Sequence, residues 1–171
     1  FTSFRPTYIY GPGNYNSIES WFFDRIVHNR PVPLPGDGST ITQLGHVDDL
    51  TDAMINSLET NKTVNRVYNC SGTLGVTFSG IVEIAAKAAG KDFESIKTFC
   101  FDPQGLDPKA RKVFPLRLSH FFTDISRLKN DLAWKPKFNL EDGLFDSFQN
   151  DYLFNCTSQP DFTVDVDLIG Y

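Results

Sequence analysis

The chain has 171 residues, of which 40% are hydrophobic and 14% aromatic. This is enough apolar material for one globular core, and it excludes an intrinsically disordered chain. The formal net charge of -5 gives no general indication of an anionic partner such as nucleic acid or a membrane surface. No apolar run approaches the roughly 20 residues needed to cross a bilayer, so no membrane span is predicted.

Strand-like and helix-like segments alternate along the chain. The predicted strands cover residues 4–10, 41–45, 66–70 and 95–101, and the predicted helices cover 19–29, 47–58, 78–89, 124–132 and 140–154. Thr77 and Asn139 are predicted to cap the helices that follow them. The prolines and glycines of residues 31–38 predict a rigid loop, because proline cannot donate to a central ladder. The alternation predicts an α/β fold.

The first predicted strand has no earlier strand to pair with. An α/β sheet normally starts with its own strand–helix–strand units, and only about three strand–helix passages occur here. We therefore expect residues 1–171 to be the C-terminal portion of a larger protein. The three cysteines, Cys70, Cys100 and Cys156, are widely spaced and favour free thiols over a disulfide framework or a metal site. No metal site is predicted.

Four motifs occur in a fixed order: RPTYIYGP at 5–12, PLPGDG at 33–38, HVDDL at 46–50 and LAWKP at 132–136. Together they resemble the extended short-chain dehydrogenases, the NAD-dependent epimerase/dehydratase family. The resemblance implies the C-terminal part of a Rossmann-like parallel sheet interleaved with a smaller substrate-binding α/β domain. It assigns Rossmann elements to about 1–13 and 42–72, substrate-domain elements to about 14–41 and 73–155, and a tail to 156–171. It also implies NAD(P) as a cofactor.

The chain differs from that family in the residues that bind the cofactor and substrate and carry out hydride transfer. It contains no G-x-x-G-x-x-G or G-x-G-x-x-G turn for a pyrophosphate and no Tyr-x-x-x-Lys for hydride transfer. Tyr8 stands where the family has an Asn that contacts substrate near the nicotinamide. Thr42 stands where nucleotide-sugar enzymes have an Arg that helps to hold the diphosphate, and a hydroxyl does not replace a bidentate guanidinium. Both departures weaken a sugar-nucleotide function.

A narrower resemblance rests on GPGNYN at 11–16 and ESWFFDRIV at 19–27. These segments are similar to the chloroplast stem-loop-binding proteins, atypical family members associated with RNA binding and endonucleolytic cleavage in plastids. The resemblance implies a plastid location, a stem-loop RNA partner, and a homo-oligomer, a hetero-oligomer or a larger plastid assembly. Two alternatives stay open: a NAD-dependent nucleotide-sugar epimerase or dehydratase whose catalytic half lies outside these residues, and a non-catalytic scaffold subunit.

A basic segment supplies the candidate RNA contacts. They are Lys109, Arg111, Lys112, Arg117 and His120. Phe114, Phe121 and Phe122 are interleaved with them or follow them. Basic groups pair with phosphates and aromatic faces stack on unpaired bases, so the segment is a candidate RNA-contacting strip. The alternative is a solvated charged loop whose aromatic side chains belong to the core.

The end of the first strand and the loop after it supply a candidate substrate or cofactor cleft. Its residues are Tyr8, Tyr10, Asn14, Tyr15 and Asn16. The loop leaves the carboxyl end of a sheet strand, where α/β proteins bind ligands, although simple turn formation explains the same residue types.

A second group of polar residues follows the next strand. His46 is a candidate general base, with Asp48 and Asp49 as metal ligands. The favoured interpretation is structural, because carboxylates in a first helical turn interact favourably with the helix dipole. No catalytic residue is assigned.

Overall fold

The computed structural model describes residues 1–16, 18–106, 110–155, 160–163 and 165. The strands are β1 (Thr2–Pro6), β2 (Tyr8–Tyr10), β3 (Val32–Pro35), β4 (Ile41–Thr42), β5 (Leu44–His46), β6 (Arg66–Cys70), β7 (Val76–Thr77) and β8 (Thr98–Phe101). The helices are α1 (Glu19–Val27), α2 (Val47–Leu58), α3 (Phe78–Ala88), α4 (Ser126–Leu132), α5 (Leu140–Ser147) and α6 (Leu153–Asn155). A π-helical turn, Phe148–Tyr152, joins α5 to α6. The fold is α/β, as predicted.

Most strand pairs are parallel. β1 pairs with β6, β2 with β5 and β3 with β8, whereas β4 and β7 are antiparallel. The predicted strand over residues 4–10 is in fact two strands, because the chain leaves β6 at Pro6 and joins β5 at Tyr8. Thr7 lies at this change of partner, where its N–H donates to the Cys70 carbonyl at 3.2 Å.

The proline-rich segment is a strand rather than the predicted rigid loop. In β3, Val32 N–H donates to the Lys97 carbonyl at 2.8 Å and, just after the strand, Gly36 N–H donates to the Phe101 carbonyl at 2.9 Å. Alternate residues of a strand face the same neighbour. Pro33 and Pro35 therefore occupy the positions between the donors, where a missing N–H costs this ladder nothing.

Local signals set the helix boundaries well. α2 spans the predicted residues, and the side chains of Thr77 and Asn139 accept the predicted capping bonds from Gly80 N–H at 3.0 Å and Asp142 N–H at 2.8 Å. The helix predicted over residues 140–154 is interrupted after Ser147 by the π-helical turn. Over the part of the chain that the structure describes, no helix is both long and apolar enough to cross a membrane.

Two hydrophobic clusters form the interior. The larger contains the buried Trp21, Phe22 and Phe23 of α1, together with side chains from α3 and α5. The smaller contains the buried Trp134 and Tyr68 of β6. The tail reaches the larger cluster through Asp165, whose carboxylate lies 2.5 Å from the guanidinium of the buried Arg25. Residues 156–159, 164 and 166–171 of the predicted tail lie outside the described residues.

Candidate functional site

The loop between β2 and α1 borders a cleft of about 400 Å³. Tyr8, Asn14, Tyr15 and Asn16, four of the five predicted cleft residues, line it together with Val47 and Leu50 of α2 and neighbouring loop residues. Tyr15 is 93% exposed, so its ring is available to a partner in solution. The structure thus brings these four side chains to one surface.

Buried and charged groups hold this loop in shape. Gly11 has φ +124°, and a Cβ there would lie 2.8 Å from a Val47 methyl group, so this turn requires glycine. The Glu19 carboxylate accepts from Gly11 N–H at 2.8 Å and from the Asn14 side-chain amide at 3.1 Å. Asp151 accepts from the N–H of Gly13 at 2.9 Å. Neither carboxylate is among the residues that the sequence singles out.

Tyr8 connects the cleft to the basic segment. Its hydroxyl oxygen accepts from the backbone N–H of Arg117 at 2.8 Å. Its ring packs edge-on against Phe121 with centroids 5.4 Å apart, and the Arg117 guanidinium lies 4.4 Å from the centroid of the same Phe121 ring. A guanidinium over an aromatic face is an attractive cation–π arrangement. The cleft and the basic segment are therefore adjacent parts of one surface.

The remaining residues of the basic segment have mixed environments. Arg111 is exposed and donates to the carbonyls of Gln104 and Leu106, both at 2.9 Å. Lys112 is exposed, and His120 is exposed with its Nδ1 accepting from Ile41 N–H at 3.0 Å. This bond makes Nε2 the protonated nitrogen of a neutral His120, and therefore a donor. Lys109 lies outside the described residues.

The aromatic residues of this segment do not act alike. Phe114 is buried and makes edge contacts with Trp21, Phe22 and Phe78, so it belongs to the core. Phe122, in contrast, is 64% exposed. The segment is therefore part core and part open surface.

Tyr10 lies apart from the other predicted cleft residues. It is buried and lines a separate cavity of about 240 Å³ with His46, Phe138 and residues 72–76. Its hydroxyl points to α5, because a Cβ on Gly143 would lie 2.0 Å from that oxygen. Burial first, and then the charge of Asp49, raises the pKa of Tyr10 above its ordinary value, so the phenol is held neutral.

His46 is a structural residue, as favoured from the sequence. Its Nδ1 accepts from Asp48 N–H at 3.3 Å and so caps α2. The ring stacks on Phe138 at 3.9 Å and is buried. Nε2 lies 3.3 Å from Asp146 Oδ2 but without hydrogen-bond geometry. Because the basic nitrogen is used by the helix cap, the ring is poorly placed to accept a proton from a substrate.

The neighbouring carboxylates, of Asp48 and Asp49, have different environments. Asp49 is buried and accepts from Lys137 N–H at 2.7 Å and Phe138 N–H at 3.3 Å. Its carbonyl accepts from the Trp134 indole at 3.2 Å, whereas Asp48 is exposed. Among the residues that the structure describes, no three potential ligands come together to hold a metal ion. Asp49 instead ties the segment after α4 to the start of α2.

Comparison with known proteins identifies related chains. The model of the NAD dependent epimerase/dehydratase family matches residues 1–71. The chain is 43% identical over 166 residues to the chloroplast stem-loop binding protein of 41 kDa b from Arabidopsis thaliana, covering 96% of this chain and 43% of that protein. It is 28% identical over 136 residues to dTDP-glucose 4,6-dehydratase from Streptomyces griseus, covering 79% of this chain and 38% of that enzyme. The chain thus spans less than half the length of either relative.

Solved structures share the fold. UDP-glucuronic acid 4-epimerase from Bacillus cereus, in complex with UDP-glucuronic acid and NAD, superposes with a TM-score of 0.69 at 20% identity, covering 88% of this chain and 45% of that one. dTDP-glucose 4,6-dehydratase from Bacillus anthracis, in complex with NAD, gives a TM-score of 0.68 at 25% identity. This match covers 89% of this chain and 44% of that one. The arrangement of strands and helices described above is therefore that of a segment of these enzymes.

Proposed function

Because the model of the NAD dependent epimerase/dehydratase family matches residues 1–71, we propose that this chain is part of a chloroplast protein of that family that binds stem-loop RNA. The observation that carries the proposal is its 43% identity to the Arabidopsis stem-loop binding protein across 96% of this chain. The matches to sugar-nucleotide enzymes, such as the 28% identity to the Streptomyces dehydratase, are much lower.

The geometry of the surface supports this proposal. Arg117 and Lys112 are exposed cations, and Arg117 lies on Phe121 next to the cleft residue Tyr8. Cations contact phosphates, and exposed aromatic faces such as that of Phe122 accept unpaired bases. The net charge of -5 means that RNA affinity would have to come from this local strip rather than from the protein as a whole.

Endonucleolytic cleavage is a further part of the proposal, and no catalytic residue is assigned to it. His46 is enclosed by Phe138 and uses Nδ1 to cap α2, so His46 is not proposed as a cleavage residue. The same proposal includes a two-domain arrangement, with Rossmann elements at about 1–13 and 42–72. It also includes assembly into an oligomer.

The test is binding of a labelled stem-loop RNA to the full-length protein, measured by fluorescence anisotropy over a salt series. We expect saturable binding, and the logarithm of the association constant should fall linearly with the logarithm of the salt concentration. Replacing Lys112 and Arg117 with Gln should make this negative slope shallower, by about 0.7–0.9 for each phosphate that the variant no longer neutralises. The matched control replaces the exposed Lys129 and Lys135 with Gln and should leave the slope unchanged. Absence of RNA binding at low salt would refute the proposal.

A second candidate is a NAD-dependent epimerase or dehydratase, favoured by the NAD complexes of the structural neighbours. The residues of this chain fit a nucleotide-sugar substrate poorly. The Tyr8 hydroxyl is engaged by Arg117 N–H, and Thr42 presents a buried hydroxyl without a partner among the described residues. Neither side chain can hold a diphosphate as a guanidinium does. Calorimetric titration of the full-length protein with NAD tests this candidate, and a protein that binds neither NAD nor RNA would favour the scaffold function.

A further inference from the structure

The described part of the tail, residues 160–163 and 165, folds back onto α1. Asp165 is buried, and its carboxylate lies 2.5 Å from Nη2 of Arg25, whose side chain is 3% exposed. The Phe162 ring packs edge-on against the His28 ring with centroids 5.7 Å apart, and the Arg30 guanidinium lies 5.2 Å from the Phe162 centroid. The tail therefore brings one anion and one aromatic ring to the end of α1.

The Arg25 guanidinium has an unused donor beside the Asp165 carboxylate. Nη1 donates to the Trp21 carbonyl at 2.8 Å and Nη2 donates to Asp165, but Nε has no hydrogen-bond partner among the described residues. Nε and Nη2 lie on one edge of the planar guanidinium, and such an edge can bind a carboxylate or a phosphate through two parallel bonds. Asp165 uses only half of this edge, although buried polar atoms are nearly always hydrogen-bonded. Two oxygens of one phosphate group would satisfy both donors.

Further cations continue this surface beyond the tail. Arg30 and Lys97 are exposed and line a cavity of about 130 Å³ whose described lining contains no carboxylate. Lys91 Nζ donates to the side-chain oxygen of Asn29, which lines the same cavity, at 2.7 Å. None of these three cations forms an ion pair with a described residue. We call Arg25, Arg30, Lys91 and Lys97 the second basic surface.

The contacts of the tail indicate which chemistry this surface accepts. The tail presents a carboxylate to Arg25 and an aromatic ring to His28 and Arg30. Unpaired nucleotides carry two equivalent groups, because a phosphate pairs with a guanidinium and a base stacks on His or Arg. The nearby Asp24 lowers the positive potential, but it forms no ion pair with Arg25 or His28. Its carboxylate accepts instead from the Tyr152 hydroxyl at 2.9 Å.

The contact between the tail and Arg25 can be exchanged for another anion. Burial lowers the pKa of Arg25 below its ordinary value in spite of the nearby Asp165 charge, which shows that the guanidinium is poorly solvated. In a buried ion pair the desolvation of both partners offsets much of their attraction. Release of the tail returns the Asp165 carboxylate to water and leaves the guanidinium edge open to a phosphate.

We propose that the second basic surface binds unpaired nucleotides of RNA and that the tail competes with them, with Asp165 in the place of a phosphate and Phe162 in the place of a base. This inference rests on the proposed function and adds to it a second contact surface and a means of regulation. Because the tail belongs to the same chain, its effective concentration at the surface is high. RNA affinity at this surface is then reduced to the fraction of molecules in which the tail is released.

Fluorescence anisotropy with a labelled stem-loop RNA that has an oligouridine loop tests this inference on the full-length protein. Asp165→Asn keeps the size of the side chain but removes its charge, and it should raise RNA affinity about tenfold because the tail is released more often. The negative salt slope should become steeper, by about 0.7 for each phosphate of the unpaired loop that is newly contacted. Arg30→Gln should cost more RNA affinity in the Asp165→Asn chain than in the wild type, because only the released tail uncovers the whole surface.

The matched control is Asp161→Asn. Asp161 is an exposed carboxylate of the same tail that accepts from Thr163 N–H at 2.9 Å and forms no ion pair with a described residue. Its replacement changes the net charge as Asp165→Asn does, and RNA affinity should stay within about twofold of the wild type. Equal gains for Asp161→Asn and Asp165→Asn would indicate a general charge effect and would overturn the inference.

The alternative is that the tail only completes the fold. If the wild type binds RNA and Asp165→Asn binds it no better, this inference is wrong and the proposed function stands. If neither protein binds RNA, both are wrong. Binding of a synthetic peptide of residues 160–171, but not of RNA, to Asp165→Asn would identify an acidic-peptide site and would also overturn the inference. Circular dichroism shows whether each variant is folded, and if Asp165→Asn is not, Phe162→Ala decides by the same criteria.

Discussion

Asp48 and Asp49 are adjacent carboxylates in the first turn of α2, and they provide a matched pair for a stability experiment. Replacing either with Ala removes the same charge from the helix start, which costs about 0.3–1 kcal/mol. Asp49→Ala also leaves the N–H groups of Lys137 and Phe138 without their acceptor. Each unsatisfied donor adds about 1–3 kcal/mol. We therefore expect a loss of about 3 kcal/mol for Asp49→Ala and at most about 1 kcal/mol for Asp48→Ala.

Urea unfolding of the full-length protein measures this difference, from the shift in midpoint multiplied by the slope of the transition. Asp49→Asn, which keeps a carbonyl acceptor, should fall between the wild type and Asp49→Ala. Equal losses for Asp48→Ala and Asp49→Ala would refute the structural interpretation of Asp49. So would two stable variants that both lose a divalent-metal-dependent RNA cleavage activity, because that result would make the pair metal ligands.

Two further predictions concern buried side chains. Gly143→Ala places a Cβ 2.0 Å from the Tyr10 hydroxyl oxygen, so overpacking should outweigh the gain in helix propensity and destabilise the protein by about 1–2 kcal/mol. Tyr10→Phe in the same chain should recover part of this loss, and strictly additive effects in urea unfolding would contradict the contact. Burial raises the pKa of the Cys70 thiol to about 12, which means that the folded protein favours the protonated thiol. The resulting gain in stability is fully present below the ordinary thiol pKa and is lost as the pH rises toward 12. At pH 8, iodoacetamide should therefore label the exposed Cys100 well before Cys70, as read by peptide mass spectrometry, and equal labelling rates would count against this burial.

Features that depend on neighbouring residues are predictable from the sequence. The apolar spacing of α2, the β-branched and aromatic character of β6, and the caps Thr77 and Asn139 all act within one or two turns of chain. Three of the five cleft residues, Asn14, Tyr15 and Asn16, share the loop after β2, so their grouping also follows from sequence proximity. The family assignment has the same basis, because its motifs are short and occur in a fixed order.

Tertiary structure alone decides which strands pair and which side chains contact residues that are distant in sequence. Pro33 and Pro35 are compatible with β3 only because the N–H groups that face β8 belong to the alternate residues, such as Val32 and Gly36. Tyr10 leaves the cleft because its hydroxyl reaches Gly143, and Asp151 reaches Gly13 across 138 residues. No local pattern encodes such contacts, because their free energy depends on burial and on a partner that is distant in sequence.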